Sequence, residues 1–286
     1  LGAHPGGAQV TGGVTDKVER RERAMTEEVA VRVHPPTATR EPGRRHVVCG
    51  IGGVLLLWEC AVRFGGVNAT DCPAPSMIVL ELARLGATGV LWPALAASGM
   101  RWLTGMLTGC GLGVLLAVAA GRYRLLGGLT VPWVHLLYPV PKIALLPLFV
   151  LWLGIGELPK FVIIALGAFF PVFINTRHGM SRLPRRYDEV VAVYPVGTRY
   201  YVRRILLPAV YPSVFAGLKL AAGSALVLLV AAEMLAADTG IGALILQYGD
   251  LMLTASLLAC VTVLAAAGLA IQYLIGCWER AVVRWR

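Results

Sequence analysis

Residues able to do chemistry are few in this chain, and they stand in unusual places. Lys142 follows Pro139-Val140-Pro141 in a long apolar stretch, Asn175 and Glu233 sit in two others, and a charged segment from Asp188 and Glu189 to Arg203 and Arg204 separates apolar runs. A lone ammonium or carboxylate in such surroundings is costly, so each is expected to face protein, water or an interface. Facing a cavity, Lys142 would attract an anion; snorkelling, it would be an anchor. Glu233 reads either as a gate contact or as the partner of a cation, and Asn175 as a hydrogen-bonding bridge between helices. Pro139 and Pro141 delete backbone donors where a broken helix can turn its backbone toward a pathway, although a packing kink would use the same residues.

Covalent chemistry finds little support. The chain contains no Gly-Lys pair, hence no Walker A lysine for nucleotide phosphates, and its five histidines (His4, His34, His46, His135 and His178) are scattered without H-E-x-x-H spacing. No catalytic residue, metal or bound cofactor is therefore expected. Ser224 and His135 both fall in apolar runs, but nothing beyond their presence links them into a hydrolase site. Cys49, Cys60, Cys72, Cys110, Cys260 and Cys277 show no C-x-x-C spacing, and most fall in apolar runs where a thiol acts as a small apolar group.

The elements that must position these residues are membrane spans. Hydrophobic residues make up 57% of the chain and charged ones 15%, more apolar than a soluble core requires. A helix needs about 20 apolar residues to cross ~30 Å of hydrocarbon. Runs at 47–62, 95–120, 128–154, 159–176, 211–236 and 254–277 supply six, predicting an all-α polytopic protein. Spanning strands would alternate, whereas Leu226-Val227-Leu228-Leu229-Val230 is continuously apolar. The net charge of +10 gathers in alternate connections: Arg40, Arg44 and Arg45; Arg122 and Arg124; Arg177 to Arg204; and Arg280, Arg284 and Arg286. Arg63, Arg84, Arg101 and Lys160 lie in the others beside acids such as Asp71, Glu157, Asp238 and Asp250. This asymmetry predicts both termini cytoplasmic and excludes a nucleic-acid partner as the reason for the charge.

Residues 1–45 lack apolar periodicity and read as a disordered cytoplasmic tail, leaving residues 46–286 as the membrane domain. Met25 lies inside this tail, so residues 1–24 are either an over-extended start or native sequence. The first run has no clean small-x-small cleavage site after it and is expected to be an uncleaved signal anchor. Trp58, Trp92, Trp152, Trp278 and Trp285 near span ends fit an interfacial belt.

The connection 182–208 is organised as a cytoplasmic knob. Arg185 to Tyr194 has helical composition, with Asp188 and Glu189 near its positive end, Val190, Val191, Val193 and Tyr194 along an apolar side, and Ala192 among them in the loop expected to couple. Pro195 stops it, Pro195-Val196-Gly197 turns the chain, Thr198 is a candidate cap, and Arg203-Arg204 precedes Leu207-Pro208 at membrane re-entry. A basic loop lying on anionic headgroups has the same composition.

Glu189, Ile205, Leu207 and Pro208 match in identity and spacing the EAA loop by which permeases of ABC importers dock onto their ATPases, and the segment resembles it. Val190 and Val191 replace the alanine pair, and Pro195 stands where that loop has glycine. Tyr138 to Leu148, Leu151 to Glu157, Phe169 to Thr176, Ala232-Glu233-Met234-Leu235 and Thr239-Gly240-Ile241-Gly242 resemble permeases for aliphatic sulfonates, taurine and nitrate. The resemblance covers about residues 46–286. It implies a MetI-like fold, a permease pair (expected here to be a homodimer in the cytoplasmic membrane), ABC ATPase partners carrying ATP and Mg, and an extracytoplasmic solute-binding protein. A passive channel or ion-coupled secondary transporter would also use the spans, the prolines and Lys142, but gives no reason for the EAA-like loop.

Overall fold

The computed structural model describes Gly2, residues 44–65, 68, 70–182, 197 and 200–283. The chain divides into two compact units, Leu1–Leu56 and Leu57–Arg286. The first contributes most of helix α1 (Arg44–Arg63), whose Ile51, Val54, Leu55 and Leu56 are exposed. Residues 1 and 3–43, where the disordered tail is expected, lie outside the described residues.

The second unit continues through α2 (Pro75–Ala87), α3 (Leu91–Arg122), α4 (Arg124–Leu137), a 3-10 turn (Lys142–Leu145), α5 (Leu146–Leu153) and α6 (Glu157–Ser181). It ends with a π-helical turn (Tyr201–Leu206), α7 (Leu207–Ala236), α8 (Ile241–Asp250) and α9 (Thr254–Val282). Among the described residues four helices are long and apolar enough to cross a membrane: α3, α6, the helix from Arg203 to Ala236, and α9. The stretches Arg124–Leu137 and Lys142–Leu153 meet at 95° and make a fifth crossing if taken as one broken span. The first apolar run, 47–62, lies inside α1, where Glu59 accepts hydrogen bonds from Ser76 N–H at 3.1 Å and Ser76 Oγ at 2.7 Å, fixing its end to the start of α2.

Glycines bring the central helices together. Gly105, Gly109 and Gly113 recur every fourth residue on α3 and face Ile164 to Val172 of α6 so closely that a Cβ on Gly109 would stand 2.2 Å from the Ala165 carbonyl oxygen. On the other side of α6, a Cβ on Gly167 would meet Leu228 at 2.5 Å, and one on Gly217 of α7 would meet the Val172 backbone at 3.0 Å. In lipid, apolar side chains gain little by leaving hydrocarbon for protein, so close backbone approach and the dispersion it permits supply the association. Ser224 Oγ of α7 adds a hydrogen bond to the Gly167 carbonyl at 2.7 Å. The resulting core holds Ile163, Ile164, Ala168, Val172, Ala221, Ala225 and Leu229.

A second core joins α2, α8 and α9 through Ile78, Leu85, Ile241, Ile245, Ala259 and Cys260. Between α7 and α9, Lys219 Nζ donates to Glu279 at 2.5 Å, and Phe215 meets Trp278 edge to face. The outward faces keep Leu107, Leu112 and Leu115 of α3 and Leu269, Tyr273 and Leu274 of α9 exposed, the arrangement hydrocarbon solvent requires.

Candidate functional site

The bundle end formed by the starts of α3, α6 and α8 and the finish of α7 gathers charge. Glu233, fully buried, accepts from Ser98 Oγ at 2.8 Å to each oxygen, from Arg101 Nη1 at 2.7 Å and from Gly242 N–H at 3.0 Å. Arg101 Nη1 also donates to the Thr239 carbonyl and Nη2 to Thr239 Oγ1 at 3.1 Å. On the far edge of the guanidinium, Nε and Nη2 hold the two Glu157 oxygens at 2.6 and 2.9 Å, while Lys160 Nζ reaches Glu157 Oε1 at 2.7 Å. All five Arg101 donors are thereby used, and Ser98 Oγ accepts from the Ile241 N–H at 2.9 Å.

The sequence of the elbow follows from this packing. Gly240 has φ of +130°, and a Cβ there would lie 2.4 Å from the Glu233 carboxyl carbon; one on Gly242 would lie 2.7 Å from Glu233 Cβ. Thr239-Gly240-Ile241-Gly242 is thus the backbone that can wrap a buried carboxylate and still present two N–H groups. An open cleft of about 410 Å³ runs beside it, lined by Asp238, Thr239, Gly240, Gln247 and Asp250 among others.

The broken span places Lys142. Tyr138 ends α4, Pro139-Val140 turns with Val140 N–H on the Leu137 carbonyl at 3.2 Å, and Pro141 caps the 3-10 turn that Lys142 opens. Neither proline has an N–H to leave unpaired, so the 95° bend costs fewer backbone bonds than it would elsewhere. Lys142 Nζ donates to the Tyr138 carbonyl at 2.9 Å and lies 5.1 and 4.8 Å from the centres of the Tyr138 and Phe170 rings. The ammonium is half-buried, its charge spread over two aromatic faces. Asn175 Nδ2 donates to the Pro171 carbonyl at 2.8 Å, one turn back in α6, where Gly217 of α7 crosses.

The knob is described only in part. Asp188, Glu189, Ala192 and Pro195 lie outside the described residues, Gly197 is exposed, and Arg203 and Arg204 are exposed in the π-helical turn. Ile205 and Leu207 are half-buried, and Pro208 stands in the first turn of α7, where its missing N–H leaves no helical bond unmade. Ser98, Arg101, Glu157 and Lys160 were not read as site residues in the sequence, where the three ionisable ones entered only as connection charges. The signals were present: Arg101 inside an apolar run, and Glu157-x-x-Lys160 at one-turn spacing on an apolar helix.

A glycine-seamed helical bundle with an apolar exterior, a span broken at a lysine and a neutralised charge cluster at one end defines a multi-spanning membrane protein. Residues 109–285 match the family described as binding-protein-dependent transport system inner membrane component, and the chain belongs to it, as the permease of an ABC importer. A Bacillus subtilis protein named as an aliphatic sulfonates transport permease, SsuC, is 33% identical over 82% of this chain and 84% of its own length. Its Escherichia coli K12 namesake is 31% identical over 82% of this chain and 89% of its own. The taurine transport system permease protein TauC of Escherichia coli K12 is 27% identical over 86% and 92%. Inward-facing crystal structures of the MetNI methionine ABC transporter share the fold: one superposes with a TM-score of 0.51 at 21% identity, covering 68% of this chain and 95% of that one.

Proposed function

We propose that this permease moves a small sulfonate, an alkanesulfonate anion or the zwitterion taurine, into the cytoplasm, with both of its termini on the cytoplasmic side. The observation that carries the anionic reading is Lys142, an ammonium held at the mouth of a helix break by two aromatic rings and a carbonyl. A cation on a route walled by protein raises the local concentration of anions, because little solvent is there to screen it. The names of the sulfonate and taurine relatives support the same class of cargo. The assembly is two copies of this chain, ABC ATPase subunits that bind ATP and Mg on the cytoplasmic face, and an external solute-binding protein that selects the solute; this chain contributes the pathway and the knob around Glu189.

The test is uptake in vesicles containing the complete importer. ATP-driven accumulation of ethanesulfonate should be strong in the parental complex and should fall at least about tenfold in Lys142→Met, with Lys142→Arg retaining most of it. Parental uptake rates in Lys142→Met would make that residue an anchor and remove the residue-level argument for an anion.

A further inference from the structure

Among the polar contacts of this bundle, one pairs an exposed acid with buried bases. The Glu157 side chain is 64% exposed, yet both its oxygens are held by cations whose side chains are 11% (Arg101) and 4% (Lys160) exposed. Ordinary surface pairs solvate both partners. Here the cationic half is built into the protein and the anionic half is a removable tip. Arg101 presents Nε and Nη2 as a parallel fork at 2.6 and 2.9 Å, and Lys160 Nζ comes in at 2.7 Å as a third donor. That geometry suits any oxyanion, and three donors match the three oxygens of a sulfonate. Glu157 also stands first in α6, whose N-cap makes no side-chain hydrogen bond, so the acid lies at the positive end of that helix. Glu233 is committed to the other edge of Arg101 and cannot follow. When Glu157 swings away, the remaining charges are Arg101, Lys160 and Glu233, a net of one positive. The exposed Glu157 side chain marks the open side of the fork, while Thr239, bonded to Arg101 Nη2, also lines the neighbouring cleft.

We propose that the Arg101–Lys160 fork is an oxyanion site for the transported solute and that Glu157 is its built-in competitor, covering the fork until an incoming anion exchanges with it. The inference rests on the sulfonate-cargo reading above and deepens it: a solute without an anionic group has nothing with which to displace a carboxylate, so the exchange screens cargo for that group. No bond is made or broken, and one anion replaces another on the same three donors.

Trifluoromethanesulfonate, followed by fluorine NMR against the full-length chain in nanodiscs of neutral lipid, is the probe. If Glu157 covers the fork about 90% of the time, Glu157→Gln tightens binding about tenfold. Adding Lys160→Met to that variant should abolish the gain. Should Glu157→Gln lose its helical circular dichroism, Glu157→Asp, which shortens the competitor but keeps its charge, should show a smaller tightening. Unchanged affinity in a folded Glu157 variant, or a gain that survives Lys160→Met, overturns the proposal. Ethanesulfonate uptake by the complete importer is scored separately. Uptake in the parental complex with no effect of Glu157 on binding sinks the fork alone, and a parental complex that imports no anion sinks the cargo reading.

Discussion

Replacing Arg101 by methionine should expose how much of this fold depends on one charge. The change strands Glu233, which is fully buried and would keep only Ser98 Oγ and the Gly242 N–H as donors. Leaving a buried charge without its partner costs about 3–5 kcal/mol. The lost pair with Glu157 adds about 1 kcal/mol at most, because that side chain is 64% exposed and water replaces the contact. Glu233→Met makes the complementary error, leaving one Nη1 N–H of the buried guanidinium without its acceptor while Thr239 and Glu157 hold the other donors. The double variant Arg101→Met/Glu233→Met strands neither, so its loss should fall short of the sum of the two single losses by at least about 2 kcal/mol. Unfolding in mixed micelles titrated with SDS, read by tryptophan fluorescence, measures all four corners of the cycle. Additivity within about 0.5 kcal/mol would mean that the two groups do not sense each other and that the network is not what joins α3 to the α7–α8 elbow.

Other outcomes follow from packing and placement. Gly109→Leu must push the α6 backbone away, since its Cβ would lie 2.2 Å from the Ala165 carbonyl oxygen; it should cost about 3 kcal/mol or more in the same SDS titration, whereas Gly111→Leu, with nothing within 4 Å, should stay within about 0.5. Glu189→Lys should weaken co-purification with the ATPase subunit while membrane insertion is unchanged, and unchanged association together with unchanged transport would return the segment to a lipid-facing loop. A membrane-impermeant thiol reagent applied outside should label Cys72 and miss a cysteine placed at Arg203; labelling at Arg203 would invert the orientation.

Of the six expected spans, four coincide with helices long and apolar enough to cross and a fifth, 128–154, with the bent pair, whereas 47–62 lies in α1, which is not among them; the break at Pro139-Val140-Pro141 was legible because proline has no N–H to give a helix. The helices Pro75–Ala87 and Ile241–Asp250 were not foreseen. They are too short to cross a bilayer and announce themselves only through the core they share with α9. The charge cluster was hidden for a different reason: Arg101 finds its acids 56 and 132 residues away, and no local pattern reports a pairing at that range. Asn175, expected to reach across helices, donates its Nδ2 to a carbonyl four residues back, at the point where α7 crosses. The Thr239-Gly240-Ile241-Gly242 block was visible as a resemblance, but the reason for its glycines, a carboxylate 2.4 Å from where a side chain would begin, exists only in three dimensions.

The glycine seam between α3 and α6 also has a consequence for how the protein is made. Gly105 meets Ile164 and Gly113 meets Val172, so each half of the seam waits for a partner synthesised roughly 60 residues later. At about 5–20 residues per second that is a delay of several seconds, during which the whole of the broken span must also leave the ribosome. Throughout it, α3 presents its notched face to lipid or to the insertion machinery with nothing to fill it. The full seam can close only after residue 181 has left the ribosomal tunnel, so a translational pause several tens of residues further on would lengthen the time available for that closure.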